Sequence, residues 1–380
     1  MSEVIGNNFK EIKKKLDKVG CGFCLAKWTQ VTMHLNDGTT HSCHHPAPHK
    51  IGLREIQKDP TSLHNSITKK KERKEMLEGG RPDACSYCWN IEDNSDSFSD
   101  RVYKSEEEWS KPYFDEIKNL KWRDNFTPKY VEVAFSNTCN FKCAYCGPSY
   151  SSKWVEEMKE HGEFSTGDGF NSLEELKRQD MVPIPQREEN PYVEAFWKWW
   201  PELYQELDTF RITGGEPLLA KDTFKVLDYI IEQEEPNRNL KLSINSNLCI
   251  EDKLFDKFLE KARKIIDEGR VKEFIVYTSV DTYGKQAEYV RTGLDFEKLF
   301  KNIDTLLTEL PKLTVVIMST FNLFSPFGYE KLVKKVYDFK LKHFNTERYW
   351  NSPLILDTSY LRYPSFLSFR ILKGYLNVEY

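Results

Sequence analysis

No stretch of this 380-residue chain approaches the ~20 consecutive apolar residues that a membrane-spanning helix needs. No export signal is visible and none is expected: the chain opens MSEVIGNNFKEIKKKLDKVG, polar and charged where a signal peptide is apolar. Strong charge of either sign is absent. The formal net charge is −4, so no basic field drives nonspecific nucleic-acid binding. Without export, nine cysteines read as metal ligands in a reducing compartment, and a cytoplasmic location is expected. What the chain does have is 39% apolar and 14% aromatic residues, material for a sizeable core. Its length suits one large domain plus a small one.

Three of the cysteines, Cys139, Cys143 and Cys146, fall within eight residues, in SNTCNFKCAYCGP. A fourth local ligand is lacking; the nearest downstream histidine is His161. A structural zinc site closes with four Cys or His ligands, and a closed ferredoxin-type cluster also takes four cysteines. A disulfide would leave one thiol over. Three thiolates on an iron–sulfur cube leave one iron open, and an open metal position is where chemistry happens. A second motif follows one strand later: Gly214, Gly215, Glu216 and Pro217, after the expected strand 210–213. Two glycines let main-chain groups approach a ligand closely. Glu216 can accept hydrogen bonds from an ammonium group. Alone, such a segment is ordinary turn chemistry.

In this order, C-x-x-x-C-x-x-C with Tyr145 before the last cysteine, then GGEP, the chain resembles the radical S-adenosylmethionine (SAM) superfamily over roughly residues 126–330. The resemblance implies a 4Fe–4S cluster on Cys139, Cys143 and Cys146, its fourth iron chelated by the amino and carboxylate groups of SAM. It implies reductive cleavage of SAM to a 5′-deoxyadenosyl radical, which removes hydrogen from an unreactive C–H bond. The cofactor carries that chemistry while the protein positions it and excludes water. An external one-electron donor, flavodoxin- or ferredoxin-like, is implied as partner. Tyr145, Gly214, Gly215, Glu216 and Pro217 would belong to the SAM cradle.

Five others, Cys21, Cys24, Cys43, Cys85 and Cys88, lie before residue 105, where the chain is expected to divide into domains 1–105 and 129–380 with a linker over 106–128. Residues 28–35 alternate, Asn36, Asp37 and Gly38 make a hairpin turn, and residues 39–41 return to deliver Cys43. Residues 66–77 read as a helix, capped by Ser66 and ended at Gly79 and Gly80, just before Cys85 and Cys88. With FCLAKW, NDGTTHSC and CSYCWNIED, this region resembles the twitch domain found beside many radical SAM cores, although better-known twitch domains follow the barrel. That resemblance implies a second iron–sulfur cluster, of 4Fe–4S type, on Cys24, Cys43, Cys85 and Cys88. Cys21 is surplus or pairs with Cys24. A structural zinc site is the bland alternative. The basic run Lys69, Lys70, Lys71, Arg73 and Lys74 reads as a solvated helix face, with a nucleic-acid patch as the rival.

From residue 130 onward, strand-then-helix units repeat. Strands are expected over 130–135, 210–213, 240–245, 274–280, 313–319 and 354–357; helices over 150–161, 192–207, 222–233, 253–267 and 296–310. Residues 162–191 read as a loop or insertion, and the tryptophans Trp197, Trp199 and Trp200 as core. The fold class is α/β. The resemblance makes it a partial (βα)6 TIM-type barrel with a small N-terminal cysteine-rich domain. Ligands in such barrels gather at the carboxyl ends of strands. That nominates Ser246 and Asn247 for ribose hydroxyls, Ser279 and Asp281 after the next strand, and Arg291 as a clamp on the SAM carboxylate or else a surface arginine. Cys249 reads as a small buried residue. The tail is expected to be too short for a separate C-terminal domain.

No motif identifies the substrate. A cluster able to take a second electron suits oxidation, so the leading expectation is oxidation or rearrangement of a peptide or small metabolite. Modification of a nucleobase or nucleic acid is the enzymatic alternative. A non-catalytic two-cluster electron carrier is the rival of another class, and a carrier has no use for a SAM cradle.

Overall fold

The structure, a computed structural model, describes residues 2–164, 172–344 and 352–374. The chain divides into two compact units, residues 1–133 with 189–210, and residues 134–188 with 211–380. The stretch 106–128, expected to be a linker, belongs to the first unit and puts Ile117 and Phe126 into its apolar cluster beside Leu16, Phe23, Trp28 and Met76.

In the first unit, β1 (Gln30–His34) pairs antiparallel with β2 (Thr39–His41), and β2 with β3 (His49–Lys50). The turn expected at Asn36, Asp37 and Gly38 forms for two local reasons. Asp37 Oδ1 accepts from both the backbone N–H and the hydroxyl of Thr39, at 2.9 and 2.7 Å. Gly38 takes φ = +73°, and a Cβ there would fall 2.1 Å from the Tyr192 ring. The helix Ile67–Leu77 is capped by Ser66, whose Oγ accepts from Lys69 N at 3.3 Å. Its end is a glycine cap, with Gly79 at φ = +86° and Gly80 N–H donating to Glu75 O at 2.8 Å.

The basic run on that helix is not wholly solvated. Lys69 and Arg73 are fully buried and share one stripe with Ser66 and Met76, the 3.6-residue period of a core-facing side. His64 explains them: its Nδ1 meets Lys69 Nζ and its Nε2 meets Arg73 Nη2, both at 2.8 Å. Arg73 also donates to Asn65 Oδ1 and Lys27 O and lies over the Trp28 ring. Hydrogen bonding supplies what burial takes away. The helix Pro191–Glu206 is capped by Asn190 and runs through Pro201, burying Trp199 and Trp200 as core. β4 (Tyr130–Ala134) leads out of this unit.

In the second unit, β5 (Lys142–Cys143) is a short strand, and β6 (Thr209–Thr213) brings the chain back into the unit. β7 (Lys241–Asn245), β8 (Glu273–Ser279), β10 (Thr314–Phe321) and β11 (Leu354–Tyr360) form a parallel sheet in the order β7-β8-β10-β11, while β9 (Arg291–Thr292) pairs antiparallel with β5. Helices alternate with the strands: Lys221–Glu232, Asp252–Asp267, Phe296–Glu309 and Tyr329–Lys342. Each turns one apolar face to the sheet. Asp252–Asp267 buries Phe255, Phe258, Leu259, Ala262 and Ile265, roughly 1.5–3 kcal/mol for each large side chain. Along the chain β4, β6, β7, β8, β10 and β11 supply the six strands of a partial TIM-type barrel, an α/β fold as expected. Expected boundaries hold to within a few residues. Part of the expected insertion, 165–171, lies outside the described residues. Among the described residues, no helix is long and apolar enough to cross a membrane.

Candidate functional site

Cys139, Cys143 and Cys146 lie in the segment that follows β4, Cys143 on the short strand β5, and backbone bonds set its shape. Cys146 N–H donates to Cys143 O at 3.0 Å, and Phe141 N–H points to the Cys139 sulfur at 3.4 Å. Trp154 Nε1 holds Cys143 O, and Ser151 Oγ holds Phe141 O, both from the start of the helix Ser152–His161. Burial pushes the Cys139 thiol up to about 12, against the pull of the Phe141 N–H. Cys146 is pushed up by burial and then by Cys143 and Cys139 beside it. Three thiols that discourage one another's ionisation ask for a cation, and binding one releases their protons. Among the described residues, no group of three or more His, Cys, Asp and Glu side chains is arranged to hold a single metal ion. A cube places each thiolate on a separate iron and asks for donors spread wider than one ion does.

The Gly-Gly turn is built against this loop. Gly215 N–H donates to Ser136 O at 3.0 Å and Glu216 N–H to Thr138 O at 2.8 Å. A Cβ on Gly214, at φ = +117°, would fall 2.6 Å from Ser136 O; one on Gly215 would fall 2.4 Å from Thr138 O. The approach that requires both glycines is thus to the backbone of the cysteine loop itself. Pro217 starts the short 3-10 turn Pro217–Leu219, whose Leu218 N–H is held by Glu216.

Glu216 ties a third element to the other two. Its carboxylate accepts from Ser246 Oγ at 2.8 Å, Asn247 N at 2.6 Å and Leu218 N at 3.0 Å. Burial pushes this carboxyl up to about 7, although those same donors hold it down. Asn247 Nδ2 reaches Asn140 Oδ1 at 2.7 Å, and Asn140 Nδ2 reaches Cys249 O at 2.9 Å, so the end of β7 is bonded to the cysteine motif. Asn140 was not singled out from sequence, although its place inside the motif was a signal. Leu248 takes φ = +56° to make the turn.

Ser279 ends β8, and Asp281 follows, fully buried. Asp281 is a hub. It accepts from Tyr145 OH at 2.8 Å, from Arg291 Nε at 2.9 Å and Nη2 at 3.1 Å, and from Thr320 N–H at 2.8 Å. Arg291 is 8% exposed, so it is no surface arginine. Its fork engages Asp281, Nη2 also meets the Tyr145 hydroxyl, and Nη1 lies 3.7 Å from the Cys143 sulfur. The β5–β9 register, Cys143 opposite Arg291, puts it there. That pairing joins residues far apart in sequence and leaves no local pattern to read. A cavity of about 550 Å³ opens beside Tyr145, lined also by Gly147, Ser149, Tyr150, Glu175 and Tyr363. That is room for a small ligand.

In the first unit, Cys24, Cys43, Cys85 and Cys88 line one cavity together with Lys27 and Arg101. Burial pushes the Cys24 thiol up, and Cys88, Cys43 and Cys85 add to it. Burial pushes Cys88 up to about 11. Against the burial that pushes the Cys85 thiol up, Lys27, 2% exposed and paired with Glu72 at 2.6 Å, pulls it down. The donor set fits a metal centre of either kind, cluster or zinc. Cys21 is exposed and donates to Gly79 O instead. Cys249 is part-buried, its thiol donating to Asp295 O.

The family model described as Radical SAM superfamily matches residues 133–323. A GTP 3',8-cyclase of Campylobacter lari is 28% identical over 119 residues, which is 31% of this chain and 28% of the relative. A GTP 3',8-cyclase of Sulfurimonas denitrificans is 24% identical over 169 residues, 44% of this chain and 40% of the relative. The chain thus spans less than half the length of these curated relatives. Among solved structures, Streptococcus suis SuiB bound to precursor peptide SuiA is 12% identical with a TM-score of 0.35, covering 88% of this chain and 72% of that one.

Proposed function

The chain belongs to the radical SAM superfamily, and from that membership we propose that it reductively cleaves SAM and abstracts hydrogen from a peptide or small-metabolite substrate, leading to oxidation or rearrangement. One observation carries the reading: the three-thiol loop and the Gly-Gly-Glu turn are bonded backbone to backbone through Ser136 and Thr138. Motif order alone made them partners in sequence; these bonds make them one cradle.

Family membership implies a 4Fe–4S cluster and SAM. On Cys139, Cys143 and Cys146 the cluster would supply one electron to the SAM sulfonium, generating the 5′-deoxyadenosyl radical. The chain's own residues position and shield. Glu216, through Ser246 and Asn247, fixes the end of β7 against the cysteine loop. Asn247 is assigned to a SAM ribose hydroxyl, and Ser279 to the SAM cradle, from their places at strand ends. Tyr145 walls the adjoining cavity, where we place the substrate. An external flavodoxin- or ferredoxin-like protein is the proposed electron donor. In the first unit, Cys24, Cys43, Cys85 and Cys88 are assigned to a second iron–sulfur cluster in a twitch-like domain, a reading supported by their sharing one cavity. That cluster would accept the second electron of an oxidation.

A second reading, action on a nucleotide, is favoured by the curated relatives, whose names specify GTP. Anaerobically reconstituted protein, given SAM and dithionite, is expected to form 5′-deoxyadenosine. Deuterium transfer from labelled peptides into it supports the first substrate class; transfer from labelled GTP supports the second. No 5′-deoxyadenosine from fully cluster-loaded protein overturns both and leaves the electron carrier.

A further inference from the structure

Arg291 is buried, yet its three nitrogens face three different groups. Nε and Nη2 grip Asp281, Nη2 also meets Tyr145 OH, and Nη1 lies 3.7 Å from Cys143 Sγ, within reach of an N–H···S bond. Asp281 is immobilised in turn by Thr320 N–H at 2.8 Å, and Tyr145 donates to it at 2.8 Å. Two further bonds fix the separation of arginine and sulfur. Cys143 stands opposite Arg291 in the β5–β9 ladder, and Ala144 N–H donates to Val290 O at 2.8 Å. The sequence next requires a glycine: Gly293 takes φ = +109°, and a Cβ there would fall 2.8 Å from Asn140 O. The arginine strand is therefore pressed onto the cysteine loop by backbone geometry on both sides of Arg291.

A fork locked by a carboxylate is poorly disposed to clamp a second carboxylate. Resting on the radical SAM reading above, we propose that Arg291 is a positioning residue for the cluster rather than for SAM: held by Asp281 and Tyr145, it donates a charged hydrogen bond to the Cys143 thiolate and raises the cluster's reduction potential. Hydrogen bonds to ligating sulfur are one of the protein's levers on cluster potential. A fixed positive charge favours the reduced state, which carries one more negative charge.

The test uses the full chain, reconstituted anaerobically, with potentials read from the electron paramagnetic resonance signal that SAM perturbs. That criterion separates the three-thiol cluster from any second one. Arg291→Gln is expected to shift the reduction equilibrium at least tenfold toward the oxidised state, about 59 mV for a one-electron couple. Arg291→Lys, which keeps the charge, is expected to restore most of it. Fe–S(Cys) stretching bands should shift in Arg291→Gln alone. An unchanged potential in cluster-loaded Arg291→Gln overturns the proposal. If Arg291→Gln loads no cluster, Tyr145→Phe decides, because it removes one hold on the guanidinium and leaves the Asp281–Arg291 pair intact: a changed potential supports the proposal, and an unchanged one in cluster-loaded protein overturns it. A wild-type protein with no SAM-perturbed signal sinks the radical SAM reading itself, an outcome distinct from both.

Discussion

The two thiol sites are built by opposite means. In the second unit, three cysteines come from one loop of eight residues, shaped by the bonds from Phe141 N–H, Ser151 and Trp154. In the first, four are gathered from separate places: Cys24 ahead of β1, Cys43 after β2, and Cys85 and Cys88 at the helix Ser86–Asn94. Yet each site sets a buried cation against a sulfur, Arg291 against Cys143 and Lys27 against Cys85. The cations are anchored by Asp281 and Glu72. The shared device is charge compensation for a buried anionic centre. The difference lies in completeness: four thiols close a centre, three leave a position for a ligand.

Breaking either site should separate them, and the largest effect belongs to the three-thiol loop. Cys139→Ala is expected to reduce 5′-deoxyadenosine formation to background while leaving the iron of the first unit bound; retained SAM cleavage would show that Cys139 is not a ligand. Next, Cys85→Ala should remove about four irons per chain and leave SAM-dependent cleavage measurable. Loss of stoichiometric zinc instead would turn that site into a structural one.

The anchors come third. Asp281→Ala strands a buried guanidinium and is expected to cost about 3–5 kcal/mol in urea unfolding of the cluster-free protein. A cost below about 1 kcal/mol would mean that Arg291 finds another partner. Smallest is a pH effect. The Glu216 carboxyl, at about 7 when folded, stands above its unfolded value of roughly 4.3. Between the two, the folded state holds a proton the unfolded state has lost. The contribution is therefore fully present below about 4.3 and lost as pH rises through about 7, on the order of 3 kcal/mol. Glu216→Gln should flatten that part of the stability–pH curve; an unchanged slope would contradict it.

How far the sequence could be read follows the same contrast. The cysteine loop was legible because its residues are contiguous and its incompleteness is visible in the spacing. The hairpin turn and the cap at Ser66 were legible because their chemistry is local. The Asp281–Arg291–Tyr145 lock was not, because β5 and β9 meet through a ladder with no sequence signature. Burial of Lys69 and Arg73 was hidden for a related reason: a run of cations reads as solvated until His64 is brought between two of them. The Gly-Gly pair was found for its ligand-approach geometry, but the backbone it approaches is the chain's own.

The central claim is that the three-thiol centre keeps one iron open for SAM. Reduced, cluster-loaded protein should be mixed with SAM labelled with ¹⁵N at the methionine amino group and examined by electron–nuclear double resonance. The account predicts a direct nitrogen coupling to the cluster, lost in Cys139→Ala. No coupling, or zinc in place of iron at those three thiols, would contradict it.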